Sequence, residues 1–404
     1  MSPIVAASQR ASVLLICNSA WGLFNFRAGL IRSLLSQGHR VVILAPVDAA
    51  VALLQELGCT CHPLQLDSRG LNPLRDLDAF VRIYLAYRRM RPTVVIQYTI
   101  KPVIYGSVAG RVLGIPIVNV ITGLGTAFEQ EGWLTRIAST LYRASQRKVR
   151  RIYFLNDDDR ELFARRQLAP PEVMETLPGE GIDARHFSFS PLPAAPPVSF
   201  LMVARLLVAK GVREYVEAAR VLLRGGIQAT FRLLGPFDTE PSRGILRAEV
   251  DAWVSEGVID YRGEARDVRH EMLKAHCVVL PSFYREGLPR VLLEAAAMGR
   301  PIITTDNVGC RDVVRHGENG FLCAVRDVQS LAFMMRAFIE LDDDARSVMG
   351  RAGRTLVESH FEERHVIKQY MKTLQGILGE PSQALLPEHV PRTTFRGNGD
   401  SPPS

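Results

Sequence analysis

The sequence predicts an α/β protein built from two doubly wound parallel sheets. Short apolar runs alternate with helical patterns along each half of the 404-residue chain. Such alternation is typical of parallel strands linked by right-handed helical crossovers. The alternation stops at residues 190–198, which hold four prolines, and then restarts. Proline fixes φ and lacks a backbone donor, so this segment is predicted to link two domains.

The first domain, residues 1–189, is predicted to contain five buried strands. These cover residues 13–17, 41–45, 94–97, 117–121 and 152–155. Each is a short apolar run, as expected of strands covered by helices on both faces. Helical patterns fill the intervals, at residues 26–37, 49–57, 74–90, 105–113 and 134–148.

The second domain, residues 199–361, repeats this pattern. Strands are predicted at residues 199–203, 230–234, 259–261, 277–280 and 302–304, with helices at 211–224, 242–256, 268–275 and 291–298. A final helix is predicted at residues 362–379. Residues 380–404 are rich in proline and lack apolar periodicity, so they are predicted to be disordered.

The composition is that of a soluble globular protein, with 47% apolar and 23% charged residues. No apolar run approaches the roughly 18–20 residues that span a bilayer. The six cysteines show no C-x-x-C spacing, which indicates reduced thiols, a cytoplasmic location and no metal. A net charge of +7 suits a phosphate-rich substrate, an anionic membrane or nucleic acid. Nucleic acid is disfavoured because no nucleic-acid-binding motif is present.

Basic residues are concentrated in the segment 133–151, which begins at Trp133 and ends at Arg151. It carries no acidic residue, and its apolar residues fall mostly at helical spacing. This pattern predicts a basic amphipathic helix, which either rests on anionic lipid or packs on the core with a solvated basic face.

Two carboxylates, Glu286 and Glu294, lie eight positions apart around a Gly287-Leu288-Pro289 turn. Pro289 suits the first position of a helix that Gly299 ends. The free N–H groups of a helix start favour an anion such as a diphosphate. A nucleotide sugar would place a hydroxylated group on each side of that diphosphate, within reach of the two carboxylates.

Two cations, Arg205 and Lys210, follow the strand predicted at residues 199–203. Phosphates bind at the carboxyl ends of parallel strands, close to helix starts. Arg205 offers a bidentate grip on a diphosphate, and Lys210 a mobile point charge. Developing charge on a leaving diphosphate would be stabilised by these two cations and the nearby backbone amides.

These segments resemble the E-x7-E and R-x4-K motifs of retaining GT-B glycosyltransferases of family 4. The resemblance implies a GT-B fold, in which two Rossmann-like domains face a central cleft and the last helix crosses back to the first domain. It also implies that Arg205 and Lys210 hold the donor diphosphate, Glu286 the donor sugar and Glu294 the ribose. Family members need no metal or other cofactor.

The acceptor is expected on the first domain. Asn18 and Arg27 flank the segment after the first strand, Lys101 follows the third predicted strand, and Gly123 and Gly125 follow the fourth. Glycine lets a ligand approach the backbone closely. A plain strand–turn–helix connection is the alternative for the first and last of these segments.

Leu-Asn-Pro at 71–73, Thr-Ile-Lys-Pro at 99–102 and Gly-Leu-Gly-Thr at 123–126 make the chain similar to one subgroup. Its members extend lipid-linked sugars in bacterial capsule, O-antigen or protein-glycan assembly, and some are N-acetylgalactosaminyltransferases. The resemblance implies transfer from a UDP-sugar to a polyprenyl-diphosphate-linked saccharide, by a peripheral protein on the inner face of the cell membrane. The alternatives are a non-catalytic sugar-nucleotide-binding subunit and a sugar-nucleotide epimerase of the same fold.

Overall fold

The computed structural model describes residues 10–66, 73–124, 128, 132–194, 196–238, 240 and 242–379. Gly125, most of the 71–73 motif and the predicted tail at 380–404 lie outside these residues. The described residues form two parallel sheets with helices on both faces, which confirms the predicted GT-B architecture.

The first sheet has the strand order β3-β2-β1-β4-β5-β6-β7, and all of its pairs are parallel. Its strands are β1 (Ser12–Ile16), β2 (Arg40–Ala45), β3 (Thr60–Pro63), β4 (Val94–Tyr98), β5 (Ile117–Ile121), β6 (Arg151–Phe154) and β7 (Met174–Thr176). The associated helices are α1 (Ala20–Ser36), α2 (Ala50–Glu56), α3 (Pro73–Met90), α4 (Ser107–Leu113), α5 (Trp133–Ser145) and α6 (Asp157–Arg165).

Alternating side chains of this sheet enter two separate cores. Val13 and Leu15 of β1 pack in the core under α1 and α2. Leu14 and Ile16 point to the opposite face, into the core that α3, α4, α5 and α6 cover. The period of two along a strand therefore divides the first domain into two helical layers.

The second sheet has the order β10-β9-β8-β11-β12-β13, which is the doubly wound order 3-2-1-4-5-6. Its strands are β8 (Val198–Val203), β9 (Ala229–Leu234), β10 (Asp260–Tyr261), β11 (Cys277–Leu280), β12 (Ile302–Thr305) and β13 (Gly320–Cys323). The helices are α7 (Val212–Arg224), α8 (Arg247–Ser255), α9 (Arg269–Leu273), α10 (Arg290–Ala297), α11 (Val328–Glu340), α12 (Asp343–Leu356) and α13 (Glu363–Leu378).

All ten predicted strands are present, but the sequence analysis missed β3, β7 and β13. All three lie at sheet edges, where a strand is covered less completely and needs no continuous apolar run. β3 illustrates this, because three of its four residues are exposed. The helices α6, α11 and α12 were also not predicted.

The last helix, α13, packs on the first domain rather than on the second. Tyr370 of α13 is buried with its ring 5.1 Å from that of Tyr153 in β6. The Tyr153 hydroxyl donates to the carbonyl of Gln369 at 3.1 Å. The chain therefore crosses between the domains a second time after the second sheet is complete.

A buried arginine fixes the segment that joins the two domains. Arg300 has no exposed surface, and its Nη2 donates to the carbonyls of Ser190 at 2.5 Å and Pro191 at 2.8 Å. Its Nη1 donates to the carbonyl of Ala275 at 3.0 Å. One guanidinium thus ties the start of the linker to the second domain.

Replacing this side chain is expected to destabilise the protein. Arg300→Met leaves several buried carbonyls without a donor, so we expect the free energy of unfolding to fall by about 2–4 kcal/mol. Urea denaturation measures the change. Arg351→Met on α12 is the matched control because Arg351 is exposed, and an equal loss in both variants would contradict the role assigned to Arg300.

Candidate active site

The two predicted donor motifs lie at the topological switch point of the second sheet. β8 pairs with β9 on one side and with β11 on the other, so the loops after β8 and β11 lead away in opposite directions. Ligands bind in the crevice that such loops leave at the carboxyl ends of the strands. The loop after β8 carries Arg205 and Lys210, and the loop after β11 carries Glu286.

A glycine allows the loop after β8 to lie against the loop after β11. Gly211 has a φ of +77°, and a Cβ atom there would lie 2.1 Å from the carbonyl oxygen of Pro281. Any other residue would meet both backbone strain and a clash. Lys210 is thereby held at the edge of the Glu286 loop.

Lys210 and Glu286 form an ion pair, which brings the predicted catalytic lysine and carboxylate together. Lys210 Nζ donates to Glu286 Oε1. The same carboxylate oxygen accepts a hydrogen bond from the Ser282 hydroxyl at 2.9 Å. Glu286 is buried, so these two donors replace the water that a buried carboxylate loses. Ser282 was not predicted, because a serine after a strand gives no distinctive sequence signal.

Arg205 lies apart from this pair. Its side chain is 55% exposed, and Nη1 pairs with Asp238 Oδ2 at 3.1 Å. The Asp238 carboxylate is nearly fully buried. An exposed arginine held at one nitrogen by a buried carboxylate keeps other donors available for a ligand.

Pro289 was expected at the first position of the helix that follows the Glu286 loop, but the helix begins one residue later. Pro289 has an extended backbone with a ψ of 111° and precedes the first helical residue, Arg290. Arg290 also reaches the first domain, where its guanidinium lies 5.3 Å from the ring centre of Phe26. The start of α10 therefore lies at the boundary of the two domains.

Glu294 occupies the second turn of α10 and forms an ion pair with Arg290 of the same helix. Arg290 Nε donates to Glu294 Oε1 at 3.0 Å. Burial raises the pKa of Glu294, and the Arg290 charge opposes that rise. A carboxylate in this position can accept hydroxyl donors such as those of a ribose, and that role stays a prediction.

The two domains touch through backbone at two glycines. A Cβ atom at Gly287 would lie 2.3 Å from the carbonyl oxygen of Thr122, and one at Gly123 would lie 2.9 Å from the Gly287 nitrogen. The space that Gly123 leaves is therefore occupied by the donor loop of the other domain. This corrects the expectation that Gly123 opens the backbone to an acceptor.

Asn18 and Lys101 lie at the switch point of the first sheet, because β1 and β4 pair there. Asn18 follows β1 and is partly exposed. Lys101 is paired with Asp76 at 2.9 Å, and both side chains are largely buried. The sequence analysis did not identify Asp76, which lies 25 positions before its partner.

The segment expected to form an acceptor loop up to Arg27 is mostly helix. Ser19 caps α1 by accepting a hydrogen bond from the Gly22 nitrogen at 3.1 Å, so the helix begins at Ala20. Arg27 is only 6% exposed and pairs with Glu180 at 2.5 Å, with its guanidinium 4.5 Å from the Tyr98 ring centre. Arg27 therefore has a structural role, contrary to its predicted contact with an acceptor.

Among the residues that the structure describes, no group of three or more His, Cys, Asp or Glu side chains is placed to hold a metal ion. In the same part of the chain, no helix has both the length and the apolarity that crossing a bilayer requires.

Comparison with known protein families assigns both halves of the chain. Residues 25–180 match the "Glycosyl transferase 4-like domain", and residues 197–340 match "Glycosyl transferases group 1". The chain belongs to the GT-B glycosyltransferases of the family 4 type. In this glycosyltransferase the second match includes all of the predicted donor residues.

Relatives and solved structures agree with this assignment. An N,N'-diacetylbacillosaminyl-diphospho-undecaprenol alpha-1,3-N-acetylgalactosaminyltransferase of Campylobacter jejuni is 22% identical over 88% of this chain and 96% of its own length. A UDP-Gal:alpha-D-GlcNAc-diphosphoundecaprenol alpha-1,3-galactosyltransferase of Escherichia coli is 23% identical over 72% of this chain and 78% of its own length. HepE from Anabaena, solved with UDP-glucose, has the same fold, with a TM-score of 0.75 and 18% identity over 91% of this chain and 100% of its own.

The close backbone contact between the domains of the glycosyltransferase is testable. Gly287→Ala places a methyl group against the Thr122 carbonyl, and we expect the two loops to separate because backbone atoms cannot yield as side chains do. Small-angle scattering should then give a larger radius of gyration than that of the parent. Gly376→Ala is the control, since a Cβ atom there meets nothing within 4 Å. Equal radii for parent and Gly287→Ala would contradict the contact.

Proposed function

We propose that this glycosyltransferase moves a sugar from a UDP-sugar to a polyprenyl-diphosphate-linked saccharide with retention of configuration. The observation that carries the proposal is the Lys210–Glu286 ion pair at the switch point of the second sheet. It joins a phosphate-binding cation to a carboxylate that can bind sugar hydroxyls. The names of the Campylobacter and Escherichia relatives, both acting on undecaprenol-diphosphate sugars, support the acceptor class.

The reaction breaks the bond between the anomeric carbon and the β-phosphate oxygen of the donor. A hydroxyl oxygen of the acceptor forms the new bond to the anomeric carbon on the same face. The hydroxyl proton passes to the departing β-phosphate, so the products are UDP and an α-glycoside. Charge grows on the β-phosphate as the bond breaks, and groups that meet that charge accelerate the reaction.

Lys210 and Arg205 are the groups proposed to meet this charge. Charge-assisted hydrogen bonds of about 1.5–3 kcal/mol correspond to roughly ten- to a hundredfold in rate for each contact. Lys210 is paired with Glu286. A bound diphosphate would compete for the Lys210 ammonium and leave the Glu286 carboxylate to bind the sugar hydroxyls. The proposed reaction needs no metal. Attack by Glu286 itself, in a double displacement, is the other route to retention.

We further propose that the first domain rests on an anionic membrane. Trp133, Leu134 and Ile137 of α5 are exposed, and Trp133 shows 65% of its surface. The apolar residues of this segment do not all share one side, because Tyr142 and Val149 point into the core. The exposed cluster is therefore left for a partner outside the domain.

Helix α3 adds a second exposed apolar stripe on the same side of the sheet. Leu77, Val81 and Leu85 follow at intervals of four residues and are all exposed. The inner residues of α3 and α5 enter the same core, so both helices cover one face of the sheet. Their exposed basic residues are Arg75, Arg82, Arg88 and Arg89 of α3, and Arg136, Arg143, Arg147, Lys148 and Arg150 in and after α5. Apolar side chains bordered by arginines suit an anionic lipid surface. Such a surface supports a position on the inner face of the cell membrane, where the glycosyltransferase would meet cytoplasmic UDP-sugars.

The reaction is tested by nucleotide release with EDTA present. UDP-hexoses and UDP-N-acetylhexosamines are supplied with and without a polyprenyl-diphosphate-linked amino sugar. We expect UDP release from one donor, only with the lipid acceptor. Glu286→Gln should lower turnover by about a hundredfold or more while changing the dissociation constant of UDP by less than about threefold. Glu340→Gln, at an exposed position on α11, is the control.

Other outcomes separate the alternatives. Interconversion of donor sugars without acceptor would indicate the epimerase, and UDP binding without release from any pair would indicate a non-catalytic subunit. Parallel loss of turnover and UDP affinity in Glu286→Gln would contradict the role of Glu286 in the reaction.

The membrane surface is tested with vesicles of phosphatidylglycerol and phosphatidylcholine. The double variants Trp133→Ser with Ile137→Ser, and Leu77→Ser with Val81→Ser, should each weaken sedimentation with vesicles by about tenfold or more, because buried apolar area is lost. The control is Phe333→Ser with Val348→Ser, which removes exposed apolar residues from the second domain. Unchanged binding in both test variants would contradict this surface.

A further inference from the structure

The loop that carries Glu286 is held by hydrogen bonds from the opposite domain. Asn156 Nδ2 donates to the carbonyl of Gly287 at 2.6 Å and to that of Glu286 at 3.2 Å. Each carbonyl shares a rigid plane with the N–H of the next residue. Asn156 therefore fixes the directions of the N–H groups of Gly287 and Leu288 as well.

An ion pair holds the residue before Glu286. Arg285 donates to Asp159 Oδ1 through Nε and Nη2, both at 2.8 Å. Asp159 has no exposed surface. Burial raises the pKa of this carboxyl, and the Arg285 charge opposes that rise. A buried carboxylate with an arginine partner is strongly destabilised when that partner is removed.

Asn156 and Asp159 belong to one turn at the start of α6. Asn156 is the cap residue, and its Oδ1 accepts a hydrogen bond from the Asp159 nitrogen at 2.8 Å. The Asn156 side chain thus caps the helix with its oxygen and holds the donor loop with its nitrogen. An acidic cap residue would offer no donor to the two carbonyls of the loop.

The second domain supports the same loop from another direction. Gly309 has a φ of +77°, and a Cβ atom there would lie 2.7 Å from the Glu286 carbonyl oxygen. The loop is therefore enclosed between Gly309 and the start of α6. The carboxylate of Glu286 is held by Lys210 and Ser282, while the backbone of the loop is held by the first domain.

We propose that Asn156 and Asp159 are positioning residues, which place Glu286 for transfer only when the two domains are together. The proposal rests on the role of Glu286 in the proposed function. The second domain by itself carries the residues assigned to UDP, but the backbone at Glu286 depends on the first domain. Donor binding thereby depends on the second domain alone, whereas sugar transfer depends on a contact between both domains.

Asn156→Asp tests the donated hydrogen bonds. Aspartate keeps the cap acceptor but presents an oxygen, in place of the NH2 group, to two carbonyls. We expect kcat to fall by about ten- to a hundredfold, with the dissociation constant of UDP within about threefold of the parent. The melting temperature should also fall, because the buried aspartate would face two carbonyl oxygens and the Asp159 carboxylate. Asp342→Asn makes the reverse isosteric change at the exposed cap of α12, where the side chain accepts from the Ala345 nitrogen at 2.7 Å, and should leave kcat unchanged.

The ion pair is tested by a double-mutant cycle of Asp159→Asn and Arg285→Gln. We expect the double variant to be no slower than the slower single variant, because both changes break one contact. Multiplied effects on kcat would overturn the proposal. So would a kcat of Asn156→Asp within about twofold of the parent, or losses of kcat, UDP affinity and melting temperature together.

Hydrogen exchange separates this inference from the proposed function, because it needs neither donor nor acceptor. Amides of residues 282–290 should exchange faster in Asn156→Asp than in the parent, and not in Asp342→Asn. If the parent releases no UDP with any donor but the exchange changes as expected, the proposed function fails and the contact stands. Unchanged exchange at residues 282–290 overturns the inference whatever the activity.

Discussion

The separation of the two domains is set by backbone packed on backbone at Gly123 and Gly287. A side chain at either position would collide with the opposite domain, so the carboxyl ends of the two sheets approach as closely as main chains can. Asn156 is a short side chain and reaches the Gly287 carbonyl only because the main chains already touch.

Both sheets place chemistry at the same topological position. In each, the strand order reverses between the first strand and the fourth, and the loops that leave this point face the cleft. The second sheet presents Lys210 and Glu286 there, and the first presents Asn18 and Lys101. A fold of two similar halves therefore brings two different loop sets together without any shared sequence motif.

The sequence was most informative where a local pattern decides the structure. Buried strands were predicted because parallel strands need continuous apolar runs, and the donor motifs because their spacing is short. Arg27 shows the limit of this approach: its partner Glu180 lies 153 residues away, and no local pattern tells a buried arginine from a ligand-binding one. Asn156 and the helix that it caps were not predicted, and the loop that Asn156 holds belongs to the other domain. Edge strands such as β3 lack the apolar signal for a different physical reason, which is that their residues are incompletely buried.

The return of α13 to the first domain has a consequence for how the chain is made. Tyr153 lies on a strand of the first sheet, and Tyr370, which packs against it, is separated from it by the whole second domain. During synthesis, the first domain therefore emerges with this apolar surface uncovered, and it stays so until the second domain has been translated. Domains that fold one after another on the ribosome usually bury their cores as they emerge. Here the first half of the protein is completed last, so a fragment that ends at the linker would expose a surface that chaperones and proteases recognise.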